Sequence, residues 1–244
     1  MVQADTKDEA TSKAYYDDFS GWYERERGKG YHGMLDDLEL DVLMPHARGR
    51  DVLELGCGTG LILERIAPIA RRAKGIDLSE GMIAKARERG LDTVVGSVTE
   101  LPFADESFDC VYSFKVLAHV PDIGAALAEA KRVTRPGGTM VLELYNPMSL
   151  RYLAKRIAGP QKISDGRTEA DVYTRWDPPW IVERILPPGV ELVAIRGVRV
   201  FTPAAFVHKL PGIGSAIRAA ERWAVESPFR YFGGFMIVVL RRTA

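Results

Sequence analysis

The sequence has few cysteines, no excess of charge of either sign and no long hydrophobic run. Its 244 residues include two cysteines, Cys57 and Cys110, which are too few for a disulfide framework and wrongly spaced for a metal site. Lysine plus arginine and aspartate plus glutamate number 33 each, so no net charge favours nucleic acid or an anionic membrane as a partner. No run reaches the roughly 18 apolar residues of a membrane-spanning helix, so stable membrane insertion is not expected.

The first residues are polar and acidic, where a secretory signal peptide would need an apolar core. Together with the low cysteine content, this favours a reducing, cytoplasmic setting. The chain is long enough for one sizeable domain with its own core, so we expect a single domain over residues 1–244. Its oligomeric state stays open.

Strand-like and helix-like segments alternate along most of the chain. Apolar runs such as 51–55 and 73–78 are followed by helical patterns, the first of them over 61–70, and Ser79 stands before the second as an N-cap. Such alternation predicts a parallel sheet with right-handed crossovers. Near the end, the strand-like segments 190–200 and 233–242 are joined by a long connection, which predicts an antiparallel pair at one edge of the sheet.

Other segments flank the predicted core, residues 48–144. Residues 13–27 and 33–47 carry apolar residues at helical spacing and predict a helical cap of two helices over 13–47. Residues 145–177, which show no clear strand pattern, and residues 201–231 combine large apolar side chains with arginine and lysine. We expect both segments to form a lid over a substrate. Such a lid would suit an aromatic or lipid-like small molecule and keep water out, although the same aromatics can be ordinary core.

The segment DVLELGCGTG places glycines at positions 56, 58 and 60 directly after the first strand. Glycine lacks a Cβ, so it can take a positive φ and let a ligand approach the main chain. In an open α/β sheet this turn lies where ligands bind. The spacing differs from the G-x-G-x-x-G of dinucleotide sites. A tight turn can also use glycines for structural reasons alone.

Asp77 stands at the end of the second strand, about twenty residues beyond the glycine turn. A carboxylate there can accept hydrogen bonds from both hydroxyls of a ribose. NAD sites share this feature, so Asp77 indicates an adenosine-containing ligand without choosing one. Its alternative interpretation is a solvated residue before a helix.

Four motifs, in their order along the chain, distinguish between these ligands. VLELGCGTG, GIDLSEGMI, GSVTELPFADESFDCV and the strand after RPGG resemble, in order and spacing, the class I S-adenosylmethionine-dependent methyltransferases. The resemblance is close over about residues 45–145 and holds in outline over 180–242. It implies a Rossmann-like α/β fold with a seven-stranded, mostly parallel sheet of order 3-2-1-4-5-7-6, strand 7 being antiparallel. It also implies helices on both faces, a helical cap and S-adenosyl-L-methionine as cofactor.

The resemblance assigns the first cofactor contacts to the glycine turn and its neighbours. It implies that Glu54 organises the turn or reaches the methionine ammonium. Gly56, Gly58 and Gly60 would lie against the methionine and ribose portion, and Asp77 would bind the ribose hydroxyls.

The adenine would lie beside the second and third strands. The resemblance implies that Leu78 and Met82 pack on the ring and that Ser97 and Val98 stand next to it. Many relatives have an aspartate where Ser97 stands. A serine can still accept from the adenine amino group, but less strongly than a carboxylate does.

Tyrosines of the N-terminal cap are further candidates. In the family that the chain resembles, such helices close over the cofactor, and the resemblance implies contacts from Tyr16 and Tyr31. The alternative is that these side chains only pack the cap against the sheet.

Polar residues after the fourth strand are candidates for the site of methyl transfer. Lys115 and His119 lie in SFKVLAHVPD, at the expected mouth of the cofactor cleft. A hydroxyl acceptor needs a base, and histidine ordinarily titrates near neutral pH, so His119 is the candidate catalytic residue. It could instead only tie down the loop before Pro121, and Lys115 could be a surface or loop residue. No metal is expected.

These features predict a methyltransferase that acts on a small-molecule acceptor, such as a natural product or a quinone precursor, by in-line transfer. One alternative is a membrane-surface lipid or quinone methyltransferase with RYLAKRIAG as an interfacial helix. Another is a non-catalytic partner subunit that only binds the cofactor. A tRNA methyltransferase is disfavoured because no RNA-binding module is evident, and an NAD oxidoreductase because of the glycine spacing. The acceptor and the atom that is methylated stay open.

Overall fold

The structure is a computed structural model of the protein. It describes residues 30–159, 162–164, 167–168, 173–209 and 213–243. The cap helix predicted at 13–27 and the candidate Tyr16 lie outside these ranges. The second predicted cap helix is present as α1 (Gly30–Ala47).

The first half of the fold alternates as predicted. Its elements are β1 (Asp51–Leu55), α2 (Leu61–Ile66), β2 (Arg72–Asp77), α3 (Glu80–Glu88), β3 (Thr93–Val95), β4 (Phe108–Ser113), a 3₁₀ turn (Leu117–His119), α4 (Ile123–Val133) and β5 (Thr134–Tyr145). The helix predicted over 61–70 is shorter than expected. Pro68 has no N–H to continue the helical hydrogen bonds, so α2 ends at Ile66.

The second half contains the predicted lid segments and the last two strands of the main sheet. Its elements are α5 (Leu150–Ala158), β6 (Lys162–Ser164), β7 (Arg167–Thr168), a 3₁₀ turn (Pro179–Ile181), α6 (Val182–Ile185), β8 (Val190–Val198), a 3₁₀ turn (Ala205–Lys209), α7 (Ile213–Ala224), a 3₁₀ turn (Pro228–Phe232) and β9 (Phe235–Arg242). No strand was expected in 145–177, but β6 and β7 form a small antiparallel pair there. Among the helices that the structure describes, none is both long and apolar enough to cross a membrane.

Seven strands form one sheet in the order β3-β2-β1-β4-β5-β9-β8. Counted along the chain within this sheet, the order is 3-2-1-4-5-7-6. The first five strands pair in parallel, and β9 runs antiparallel to both β5 and β8. The predicted fold class is therefore confirmed, including the antiparallel pair. Because Glu54 is in register with both Gly75 and Tyr112, the carboxyl ends of β1, β2 and β4 lie at one edge of the sheet.

Helices cover the two faces of the sheet, and alternate strand residues point to opposite faces. One face packs on α4 through a cluster that includes Leu53, Val111, Met140, Leu127 and Ala130. The other face packs under α1 through a cluster that includes Val52, Tyr112, Val141, Leu38 and Leu43. The strands are thus packed between two helical layers, and the candidate site lies at the carboxyl edge of β1 to β4.

Candidate functional site

The turn after β1 carries three glycines in the left-handed region, with φ of 70°, 53° and 85° at Gly56, Gly58 and Gly60. A Cβ on Gly56 would collide with the side chain of Val116, and one on Gly60 would collide with Leu91. Among the described residues beyond its chain neighbours, no heavy atom would lie within 4 Å of a Cβ on Gly58. Packing thus explains two of the glycines, whereas Gly58 leaves open space at the turn.

Asp77 lies at the end of β2, and main-chain groups fix the direction of its carboxylate. Oδ2 accepts a hydrogen bond from the N–H of Gly58 at 2.8 Å, and Oδ1 accepts one from the N–H of Ser79 at 2.9 Å. Ser79 is the predicted N-cap of α3 and accepts from the N–H of Met82 at 3.1 Å. A carboxylate can accept about four hydrogen bonds, so these bonds are compatible with ribose hydroxyls as further donors.

A cavity of about 140 Å³ lies at the carboxyl ends of the central strands. Predicted cofactor residues form much of its wall: Gly56, Gly58, Asp77, Leu78, Met82, Ser97 and Val98. His119, the candidate catalytic residue, lines the same cavity. The fold therefore brings most of the candidate residues together around one space.

A second cavity of about 50 Å³ lies beside the first and shares Gly56 and Gly58 with it. Glu54 lines this smaller space and is buried at the end of β1. The hydroxyl of Tyr112 donates to Oε2 of Glu54 at 3.1 Å. Burial raises the pKa of Glu54 well above its usual range. A cationic group bound in this cavity would favour the ionised carboxylate.

The two cavities fit the ligand that the sequence resemblance implies. The larger one has apolar walls from Leu78, Met82 and Val98 for an adenine ring and an acceptor for ribose hydroxyls in Asp77. The smaller one offers Glu54 to an ammonium group. The open space at the glycine turn lets a ligand pass close to the main chain between them.

Ser97, which replaces the aspartate of many relatives, is held within its own loop. Its Oγ lies 2.7 Å from Oγ1 of Thr99 and accepts from the N–H of Thr99 at 3.2 Å. Ser97 lines the larger cavity, and its contact with adenine stays a prediction.

Three other predicted contacts are not among the cavity walls that the structure describes. Tyr31 lies on α1 and packs against the core under that helix, with its ring centre 5.1 Å from the guanidinium of Arg199. Gly60 forms the N-cap of α2. Tyr16 is outside the described residues. Their roles toward a cofactor stay predictions.

Lys115 lies on the loop after β4, as one interpretation predicted, but its side chain points into the protein. Its φ of 63° is unusual for a residue with a side chain. Its Nζ donates to Oδ1 of Asp36 at 2.9 Å and to Oε2 of Glu39 at 2.8 Å, and its N–H donates to Oε1 of Glu143 at 3.1 Å. Since Asp36 and Glu39 belong to α1, Lys115 fastens this helix to the loop that lines both cavities.

His119 is held so that its two ring nitrogens face different partners. Nδ1 lies 2.8 Å from the carbonyl oxygen of Tyr173 and 3.3 Å from Oγ1 of Thr174. Because a carbonyl only accepts, the neutral ring carries its proton on Nδ1 and leaves Nε2 as the acceptor. The hydroxyl of Tyr145 lies 3.4 Å from this Nε2. Burial raises the pKa of Tyr145 to about 12.

The segment 173–177 docks on the site through its main chain. The N–H of Arg175 donates to the carbonyl of Ala118 at 2.8 Å, and the N–H of Asp177 donates to the carbonyl of Tyr145 at 2.7 Å. The side chains of Arg175 and Asp177 also form an ion pair at 2.6 Å. Part of the predicted lid therefore completes the surroundings of the candidate base.

Arg151, at the start of α5, is a buried cation surrounded by aromatic rings. Its guanidinium carbon lies 4.2 Å from the ring centre of Tyr145, 4.6 Å from that of Phe235 and 5.1 Å from that of Trp176. Such contacts stabilise a desolvated cation. They attach α5 to the carboxyl ends of β5 and the start of β9.

Sequence reasoning missed the buried charges around Lys115. Glu143 is an acidic residue inside the apolar strand TMVLELY, and this mismatch was the available signal. Burial raises the pKa of Glu143 well above its usual range.

Both cysteines are free and buried. Within the described ranges, no group of three or more His, Cys, Asp or Glu side chains could hold a metal ion.

Comparison with known proteins gives one family and several partial relatives. Residues 53–142 match the model of a family described as a methyltransferase domain. The chain is 42% identical over 100 residues to a probable S-adenosylmethionine-dependent methyltransferase of Mycolicibacterium smegmatis, which covers 40% of this chain and 39% of that protein. It is 37% identical over 133 residues to the demethylmenaquinone methyltransferase of Mycobacterium marinum, covering 51% and 58%.

A ubiquinone biosynthesis O-methyltransferase of Methylococcus capsulatus is 32% identical over 128 residues, covering 49% of this chain and 54% of that protein. In each of these relatives, the match spans less than two thirds of the relative's own length.

Solved structures with the same fold are more distant in sequence. A DhpI complex with SAM has a TM-score of 0.68 at 19% identity and covers 98% of this chain and 100% of that one. A SAM-dependent methyltransferase of Thermotoga maritima has a TM-score of 0.67 at 19% identity and covers 94% and 99%. The (4+2)-cyclase SpnF has a TM-score of 0.66 at 21% identity and covers 96% and 95%. These likenesses show the fold alone.

Proposed function

We propose, for a chain that carries a class I S-adenosylmethionine-dependent methyltransferase domain, the transfer of the cofactor's methyl group to a small-molecule acceptor. The observation that carries this proposal is the pair of cavities at the glycine turn, with His119 in the wall of the larger one. The relatives described as quinone methyltransferases support an aromatic acceptor.

The residues that would hold S-adenosyl-L-methionine are those of the two cavities. Asp77 would accept from the ribose hydroxyls, and Glu54 would face the ammonium group. When bound, the cofactor supplies an electrophilic methyl group on a sulfonium. The chain's own task is then to hold the acceptor in line, and such positioning can account for about 7–11 kcal/mol of a reaction barrier.

The arrangement of His119 supports a hydroxyl acceptor. The carbonyl of Tyr173 holds the proton on Nδ1, so Nε2 is the atom that can take a proton from an alcohol or a phenol. The Nδ1–H···O bond would also stabilise the imidazolium that results. The hydroxyl of Tyr145, 3.4 Å from Nε2, marks where an acceptor hydroxyl would approach. In this proposal both interpretations of His119 hold: its Nδ1 fastens the loop to Tyr173, and its Nε2 acts as the base.

The remaining expectations belong to this proposal as well. Residues 48–144 act as the cofactor-binding core, and 145–177 and 201–231 act as the lid over the acceptor. The cytoplasmic setting expected from the polar first residues stays a prediction.

The test uses His119→Gln and the matched control His46→Gln, a change at a histidine near the end of α1. Purified proteins are incubated with S-adenosylmethionine and a panel of hydroxylated aromatic compounds, and products are detected by the mass increase of one methylene. We expect His119→Gln to lower kcat by about 10²–10⁴-fold with nearly unchanged affinity for S-adenosylhomocysteine. His46→Gln should leave both quantities unchanged.

Two outcomes would contradict parts of the proposal. A His119→Gln variant that methylates a hydroxyl acceptor at the full rate would remove His119 as the base. A chain that binds S-adenosylhomocysteine but methylates nothing in the panel would favour the non-catalytic alternative.

A further inference from the structure

Helix α5 carries its apolar face outward. Leu150, Leu153 and Ile157 lie at helical spacing on one side and are 46%, 54% and 79% exposed. On the opposite side, the charged Arg151 is buried under the rings of Tyr145 and its neighbours. A surface helix normally has the reverse arrangement. The aromatic contacts of Arg151 therefore hold the hydrophobic face in solvent.

Other large apolar side chains continue this surface. Met148 precedes α5, and Phe229 and Phe232 come from the 3₁₀ turn before β9; all three are more than two fifths exposed. These side chains and those of α5 line one open groove. We call Met148, Leu150, Leu153, Ile157, Phe229 and Phe232 the α5 face. Contiguous exposed apolar surface of this kind marks an interaction site.

The charges around the α5 face have one sign. Besides the buried Arg151, segments 147–159 and 228–232 contain Lys155, Arg156 and Arg230 and no acidic residue. Arg156 is exposed and lines the groove itself. Apolar side chains next to basic ones are the combination that binds an anionic lipid surface.

We propose that the α5 face docks the protein on the surface of an anionic lipid bilayer, with Leu153 and Ile157 entering the boundary between headgroups and acyl chains. A symmetric dimer through this face would bring like charges together, because an isologous interface places the same patch on both copies. A bilayer that contains anionic lipid meets both the apolar and the basic side chains with a complementary partner.

The α5 face is also connected to the candidate methyl-transfer site. Tyr152 lines the groove, and its ring centre lies 4.7 Å from that of Trp176. Trp176 is 5.6 Å from Tyr145, and Tyr145 is 5.4 Å from His119. Three ring contacts therefore lead from the groove to His119, and if the proposed function holds, docking would bring the methyl-transfer site close to the bilayer. Docking itself does not depend on that function.

Flotation of the purified full chain with vesicles tests the proposal. One set is pure phosphatidylcholine, and the other contains phosphatidylglycerol as well. We expect the wild type to float with the anionic vesicles and to be released by high salt. Leu153→Glu/Ile157→Glu should abolish flotation. Lys155→Ser/Arg156→Ser should weaken binding about 30-fold, as expected for two basic residues near such a surface.

The matched control is Val193→Glu, which places the same charge on an exposed valine of β8. Val193 lies on β8, seven residues before Val200, and is not among the residues that line the groove. It should float like the wild type. All variants should keep their affinity for S-adenosylhomocysteine, which separates lost docking from lost folding.

Two outcomes would overturn the proposal: the wild type does not float with anionic vesicles, or Leu153→Glu/Ile157→Glu floats as well as the wild type. Light scattering interprets the first outcome. The wild type that does not float would then be a dimer, whereas Leu153→Glu/Ile157→Glu would be a monomer. The α5 face would then be a contact between copies of the chain.

Discussion

Replacing Gly58 by alanine would test whether this glycine is needed for ligand binding, for folding or for both. Gly58 lines both cavities, and a Cβ there would point into open space. The methyl group would therefore meet the ligand and not the protein. The substitution would also lower the free energy of unfolding. The φ of Gly58 is 53°, and a residue with a Cβ in this left-handed region is strained by about 1–2 kcal/mol.

Gly49 provides the matched control. It has a φ of 69°, open space around a Cβ and a position in the turn before β1, away from both cavities. Gly49→Ala and Gly58→Ala should therefore lose a similar free energy of unfolding, about 1–2 kcal/mol. An extra methyl group in a fitted site costs about 1–3 kcal/mol, so only Gly58→Ala should also bind S-adenosylhomocysteine about 5–150-fold more weakly.

The assays are calorimetric titration with S-adenosylhomocysteine and unfolding by urea. Equal Kd values for the two variants would refute the placement of the ligand at the glycine turn. A much larger loss of unfolding free energy in Gly58→Ala than in Gly49→Ala would show that the space at the turn is filled by the protein. Either result would leave the fold as it is and remove the argument for the binding site.

Three further predictions concern charged residues. Asp77→Asn should weaken S-adenosylhomocysteine binding in calorimetry by about 1.5–3 kcal/mol, which is the scale of a hydrogen bond to a charged group. The control Asp92→Asn, at an exposed aspartate, should leave the affinity unchanged. Equal affinities of the two variants would place the ribose elsewhere. Lys115→Met should lower the free energy of unfolding by about 3–5 kcal/mol, because it leaves two buried carboxylates without their cation. Lys74→Met, whose aspartate partner is exposed, should cost less than about 1 kcal/mol, and similar losses would contradict the burial argument. A hydrogen bond from Arg71 lowers the pKa of Asp51 from 3.8 to about 2, so its stabilisation should be complete above about pH 5 and lost as pH falls toward 2. If the thermal midpoint of Asp51→Asn falls as steeply as that of the wild type over this window, the assignment is contradicted.

The core of the fold could be predicted because its signals are local in the sequence. The glycines after β1, Asp77 after β2 and the cap Ser79 each act on neighbours within a few residues or on the adjacent strand. The predicted order of the strands followed from a family resemblance that those motifs carried. The structure confirmed it down to the antiparallel last strand.

What the sequence did not reveal depends on contacts between distant residues. Lys115 pairs with carboxylates of α1 that lie 79 and 76 positions earlier in the chain, and no local pattern records such a pair. Tyr173 is 54 positions from His119, so the proton position on the imidazole could not be read from SFKVLAHVPD. The amphipathic pattern of α5 was visible, but only Arg151's aromatic surroundings decide which side faces the core.

The docking of segment 173–177 makes His119 dependent on a part of the chain that is remote from its own loop. A histidine whose Nδ1 met only water would exchange between two tautomers, and one of them presents a donor at Nε2 where an acceptor is needed. The carbonyl of Tyr173 removes that ambiguity only while the segment is seated on Ala118 and Tyr145. In the proposed mechanism, seating this segment therefore does two things together: it covers the acceptor and it fixes Nε2 as the atom that accepts the proton.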